Sequence, residues 1–122
     1  MNEYRPPEYM PPSKFKCEGY WGKGYKPTIS KENWNGKQEW VNRAIFVEKY
    51  TPIRSFRGIS FSRIDGSPVG NKEYYDVTNN ICWPEGYVQH YILNNNVMPT
   101  ERFFNYINYR YILLLYIYMS LL

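Results

Sequence analysis

Between Arg57 and Arg63 apolar and polar positions alternate, with Ile59 and Phe61 on one side and Ser60 and Ser62 on the other. A period of two predicts a half-buried strand. Ile64-Asp65-Gly66-Ser67-Pro68 reads as the turn that closes it, Glu73-Tyr74-Tyr75-Asp76-Val77 as the returning strand, and Thr78-Asn79-Asn80 as the next turn. Upstream, Val41, Ile45, Phe46 and Val47 lie within Trp40–Tyr50 and predict a further strand, preceded by a hairpin turn on Asn35-Gly36 and followed by Pro52. An antiparallel sheet of three or four short strands results.

From Pro84 the period changes. Tyr87, Val88, Tyr91 and Ile92 recur at helical spacing, Pro84 suits a first helical turn, and Glu85 suits the positive end of the helix dipole. Asn94-Asn95-Asn96 ends this helix. Val97-Met98-Pro99-Thr100-Glu101 opens another, with Phe103, Phe104, Ile107 and Tyr111 as its apolar stripe. Trp83 stands where the two periods meet and is expected to be buried between helix and sheet, with Pro84, Tyr87 and Tyr91 completing the junction.

These elements predict an α+β fold, a small antiparallel sheet with two C-terminal helices and an extended Pro-rich N-terminal arm. Residues 1–40 form the arm and an aromatic, Gly-rich loop, 41–110 the core, and 111–122 an apolar tail. Four prolines among the first twelve residues remove amide donors and force an extended arm. The tail, Tyr111 to Leu122, carries no charged side chain. As a helix it reaches about 18 Å, short of the roughly 30 Å of a bilayer core, so burial against protein is expected and a membrane partner is not.

Composition changes this picture in two ways. Aromatic residues make up 20% of the 122, fourteen of them tyrosines, and each brings a large apolar face with a hydroxyl that needs a partner. Basic charge is concentrated early: residues 1–63 hold 12 Lys+Arg against 6 Asp+Glu, whereas residues 64–122 hold 3 against 5. Acidic partners would be drawn to the first half. The Asn-, Tyr-, Ile- and Lys-rich usage is what AT-rich coding produces, as in certain viruses, phages or protists, and a virus- or phage-encoded chain is the expectation. With only Cys17 and Cys82, and no signal peptide at the start, an intracellular, reducing setting is expected, in the cytoplasm of a host or producing cell or in a virion.

Candidate chemistry is sparse. His90 is the single histidine, so no site needing two imidazoles can form, and no cofactor or metal is expected. Asp65, Glu73, Glu85 and Asp76 are the carboxylates that a hairpin and a helix start would bring near one another, and Asp65, Glu73 and Glu85 with His90 are the candidates for a small hydrolase or nuclease. The competing expectation is surface carboxylates, with His90 hydrogen-bonded at the sheet edge. Cys82, beside Trp83, reads as a small buried apolar residue because no basic neighbour lowers its pKa. Tyr20, Trp21, Lys23, Tyr25 and Lys26 interleave rings and charge as single-stranded nucleic-acid binders do, although a Gly-punctuated loop covering the core has the same composition.

The run Gly58-Ile59-Ser60-Phe61-Ser62-Arg63-Ile64-Asp65-Gly66, followed by Gly70, Glu73, Trp83-Pro84-Glu85-Gly86, His90-Tyr91 and Asn96-Val97, resembles a group of small uncharacterised bacterial and viral proteins. Those read C-R-x-C-G, then W-P-E-G, then H-Y-x-x-x-H-N-V. The resemblance implies a finger-like hairpin and helix with two cysteines and two histidines as zinc ligands. Here Ser62, Asp65 and Asn95 stand at three of the four ligand places, His90 at the fourth, and one residue near Gln89 is extra. A degenerate finger held by aromatic packing instead of metal is the expectation. The functional expectation is a non-enzymatic protein-interaction or structural module contacting its own copies or a partner, with nucleic-acid binding and small hydrolase or nuclease activity as alternatives.

Overall fold

The computed structural model describes residues 16–21 and 27–122. Its elements are β1 (Lys16–Cys17), α1 (Lys37–Lys49), β2 (Ile53–Phe61), β3 (Pro68–Asp76), β4 (Ile81–Pro84), a π-helix (Tyr87–Asn94) and α2 (Glu101–Ser120). The strands form one sheet in the order β1-β4-β3-β2; β2, β3 and β4 are antiparallel and β1 joins β4 in parallel. The α+β class and the C-terminal helices are therefore as expected. The Pro-rich arm lies outside the described residues.

α1 replaces the strand expected over Trp40–Tyr50. Val41, Ile45 and Val47 are β-branched, which suggests a strand. The buried positions, however, are Lys37, Trp40, Val41, Ala44 and Val47, which follow the helical period. Lys, Gln, Glu, Arg and Ala between them favour a helix. Asn35-Gly36 is likewise no hairpin: Gly36 takes φ 80° as the residue that caps α1.

The hairpin β2–β3 is where the alternation placed it, but the end of β2 buries neither face, Ser60 being exposed as well as Ile59 and Phe61. Its register with β3 shifts between Ser55 and Ser60 and again before Phe61, leaving Ile59 and Phe61 more than half exposed. β4 was not expected, and Pro84 is its last residue, not the first of a helix. The true helix begins after Gly86, at φ 92°, where a Cβ would meet the side chain of Val69. It is wound as a π-helix, with Tyr91 N–H donating to Gly86 C=O five residues back at 3.1 Å.

The core lies between the sheet and the three helices. Trp83, fully buried as expected, meets the rings of Tyr74, Phe103 and Tyr106 at 5.4, 5.2 and 5.9 Å. Trp40 stacks on Phe104 at 5.7 Å and joins α1 to α2. Thr100 caps α2 by accepting from Phe103 N–H at 3.1 Å. α2 absorbs both the second expected helix and the apolar tail. Of the burial expected for the tail, in the core or against a second copy, the chain itself supplies only the part at Tyr111 and Leu114, which pack against the core; Tyr116, Ile117, Tyr118, Met119, Leu121 and Leu122 are exposed on it. Among the described residues no helix is long and apolar enough to cross a membrane.

Candidate functional site

Side-chain parity on the sheet decides which groups meet. On β3, Tyr74 points toward the helices while Glu73 and Tyr75 point to the opposite face; on β4, Trp83 and Cys82 divide in the same way. The expected carboxylate cluster is therefore split. Glu73, fully buried, accepts from Arg54 Nε at 2.7 Å and from the Tyr20 hydroxyl at 2.5 Å. Glu85 accepts at Oε1 from the Asn71 and Lys72 amides at 3.1 and 3.2 Å, and so locks the turn after β4 to β3. Asp76 accepts from the Tyr106 hydroxyl at 2.6 Å.

Asp65 and His90 do come together, with Ser62. His90 Nε2 lies 2.8 Å from Ser62 Oγ and 3.7 Å from Asp65 Oδ1. Ser62 Oγ also accepts from the Ile64 amide at 3.0 Å and the Asp65 amide at 3.4 Å. A serine triad needs the carboxylate on the imidazole nitrogen opposite the serine and an accessible hydroxyl. Here both groups crowd one nitrogen, and Ser62 is buried. Ser67, through its hydroxyl and its amide, holds Asp65 below the usual carboxylate range. The cluster orders a turn. Asn95 turns away from it, donating to the His90 carbonyl at 2.7 Å.

A carboxylate missed in the sequence faces Glu85 instead. Glu48, at the end of α1, accepts from Trp83 Nε1 at 2.9 Å. It shares with Glu85, Tyr74, Lys49, Asn42 and Gln89 a cleft of about 610 Å³ between α1 and the turn after β4. Burial pushes the Glu48 carboxyl up to about 7 against the opposing Trp83 bond, and Glu85 adds to the rise. Burial beside these acids pushes Tyr74 up to about 12. Nothing local in α1 marks Glu48; its hydrogen-bond partner, Trp83, is 35 residues away.

Glu18 was also missed. It is buried where β1 meets the helices, accepting from the Tyr87 hydroxyl at 2.6 Å, the Thr100 amide at 2.9 Å and the Thr100 hydroxyl at 2.8 Å. Burial raises its pKa despite these donors. Lys37 plays a similar part with opposite charge: its ammonium donates to Asn33 Oδ1, the Leu93 carbonyl and Asn96 Oδ1 at 2.9, 2.9 and 3.2 Å, capping the end of the π-helix.

Cys82 is buried as expected but is not an unpaired apolar residue: it forms a disulfide with Cys17, its register partner on β1. The cysteines thus make a disulfide and no zinc finger. Of the nucleic-acid candidates, Trp21 packs on Tyr87 and Tyr91 at 5.9 and 4.8 Å and Tyr20 is bound to Glu73. Both line a groove of about 330 Å³ with Phe56, Phe61 and Arg63. Lys23, Tyr25 and Lys26 lie outside the described residues.

No family model, no curated protein and no solved structure matches this chain.

Proposed function

We propose that the chain is a non-enzymatic interaction module that joins a second copy of itself through the outer end of α2. The observation that supports this is the run beyond Arg110. Ile112, Tyr116 and Met119 recur four and three residues apart on one helix, are 63%, 73% and 59% exposed, and have no charged side chain among or after them. Each large apolar side chain left in water forgoes roughly 1.5–3 kcal/mol of burial. A partner chosen by charge would find nothing to hold, whereas the same surface on a second copy is complementary to it in a two-fold pair. Light scattering on the full chain should give a dimer mass. Ile112→Glu with Tyr116→Glu should give a monomer with unchanged circular dichroism; a wild-type monomer at high concentration refutes the reading.

A second reading, a small hydrolase, is favoured by the cleft. A carboxyl that stays protonated near neutral pH beside a second carboxylate anchored by two amides is the arrangement of a general acid and its partner. Asn42 and Gln89 supply amides for hydroxyl groups, and Phe46 and Tyr74 supply rings. Cleavage of an oligosaccharide panel that declines as pH rises through about 7 and disappears in Glu48→Gln would support it. No cleavage across the panel would dispose of it.

A further inference from the structure

We propose that reduction of the Cys17–Cys82 disulfide turns the buried face of the sheet into a binding site for a thiophilic divalent cation of the zinc class, with Glu73 as the third ligand. The ligating atoms of Cys17, Glu73 and Cys82 all lie within 4.8 Å of one another, and all three residues are at most 1% exposed. Zinc holds thiolate sulfur at about 2.3 Å and carboxylate oxygen at about 2.0–2.2 Å, so in a tetrahedral site neighbouring ligand atoms stand roughly 3.4–3.8 Å apart. Cutting the sulfur–sulfur bond lets the two sulfurs separate to that spacing, and Glu73 already stands within about 1 Å of it.

The charge balance of the buried site favours this occupant. With the disulfide closed, the carboxylate of Glu73 is offset by the guanidinium of Arg54, 2.6 Å away. A divalent cation on two thiolates adds no net charge to that pair, so loading the site leaves no uncompensated buried charge. The donors on Glu73 also aim it. Arg54 holds Oε1 through Nε at 2.7 Å and Nη2 at 2.6 Å, and the Tyr20 hydroxyl holds Oε2, so both act as orienting partners behind a ligand. Two sulfurs and one carboxylate oxygen select zinc or cadmium over calcium or magnesium.

The redox step is balanced by an ordinary thiol. Two thiol molecules give two electrons and two protons to the disulfide, leaving two cysteine thiols and one external disulfide. Cation entry then releases the two cysteine protons. The direct pairing of Cys17 with Cys82 across β1 and β4 is the backbone contact that brings the two sulfurs together.

The test uses the full chain, oxidised or treated with a phosphine reductant, titrated with zinc against a chromogenic chelator and with cadmium while following the sulfur-to-metal charge-transfer band. The reduced chain should take one ion and the oxidised chain none at this site. Cys17→Ser and Cys82→Ser should each abolish the charge-transfer binding, and Glu73→Gln should weaken it tenfold or more. Because Glu73→Gln also disturbs Arg54, Glu73→Asp is the gentler variant and should retain binding at reduced affinity. Binding that survives in concentrated urea would belong to bare cysteines of an unfolded chain and overturn the proposal. So would equal binding by the oxidised chain, or no binding by the reduced one.

Discussion

Replacing Glu48 by Gln isolates a single buried acid whose proton the fold retains. In the folded chain its pKa rises from 4.5 to about 7, first through burial between α1 and Trp83 and further through Glu85. A shift of that size corresponds to about 3 kcal/mol. The sign follows from proton counting: between pH 4.5 and 7 the folded state holds a proton that the unfolded state has lost, so stability falls as pH rises. The contribution is complete below 4.5 and gone above about 7.

Gln keeps a carbonyl oxygen for Trp83 Nε1 and has no proton to lose. Urea unfolding, followed by tryptophan fluorescence at several pH values, should therefore show the two proteins alike near pH 4. By pH 8 Glu48→Gln should be the more stable by about 2–3 kcal/mol. Glu18, also raised, and Asp65 and Asp76, both lowered, are common to both proteins and cancel in the difference. A difference that stays flat from pH 4 to 8 would refute the burial of Glu48 and, with it, the acid of the cleft.

Trp83→Ala should lose about 3–5 kcal/mol in denaturant unfolding, since it empties the space among Tyr74, Phe103 and Tyr106; a loss under about 1 kcal/mol would place the centre of the core elsewhere. Glu18→Ala strands the Thr100 amide and hydroxyl and the Tyr87 hydroxyl, each worth about 1–3 kcal/mol when buried without a partner. Faster amide exchange at the start of α2 should accompany the destabilisation, and unchanged exchange there would contradict the bridge. Asp76 behaves oppositely to Glu48. Burial works against its charge, but Tyr106 and Asn79 outweigh it and hold its pKa below 3.8, so its contribution is present above that value and lost as pH falls through the folded one. Asp76→Asn should flatten the acid limb of the stability curve.

What was legible in the sequence was local. The hairpin β2–β3 followed from alternation and turn residues, and the stripe Phe103 and Ile107 marked α2 before its length was known. α1 was misread because its β-branched residues outweighed a helical period that Trp40, Val41, Ala44 and Val47 carry. The groups with chemical character lay beyond that reach. The disulfide needs the parallel register of two strands whose cysteines are 65 residues apart, and Glu18 meets Thr100 across 82 residues. Of the four residues Ser62, Asp65, His90 and Asn95 expected together, the first three meet and Asn95 turns away. Their hydrogen bonds follow from a turn and a π-helix that no spacing rule specifies.

One physical problem connects these hidden groups. A core built from so many aromatic rings must bury hydroxyl and indole donors as well as apolar faces, and an unpaired donor there is costly. The chain meets four of them with a carboxylate from another element, Tyr20 with Glu73, Tyr87 with Glu18, Trp83 with Glu48, and Tyr106 with Asp76, while Trp40 donates to the Phe104 carbonyl. The four acids differ in what else they receive. Glu73 has a guanidinium, Glu18 two groups of Thr100, and Asp76 the side chain and amide of Asn79. Glu48, among the described residues, accepts from Trp83 alone and faces Glu85 across a cleft. Its proton is therefore the one held near neutrality in contact with solvent. The same solution that satisfies the aromatic core leaves one acid exposed to chemistry in the cleft and another, Glu73, beside two sulfurs on the opposite face of the sheet.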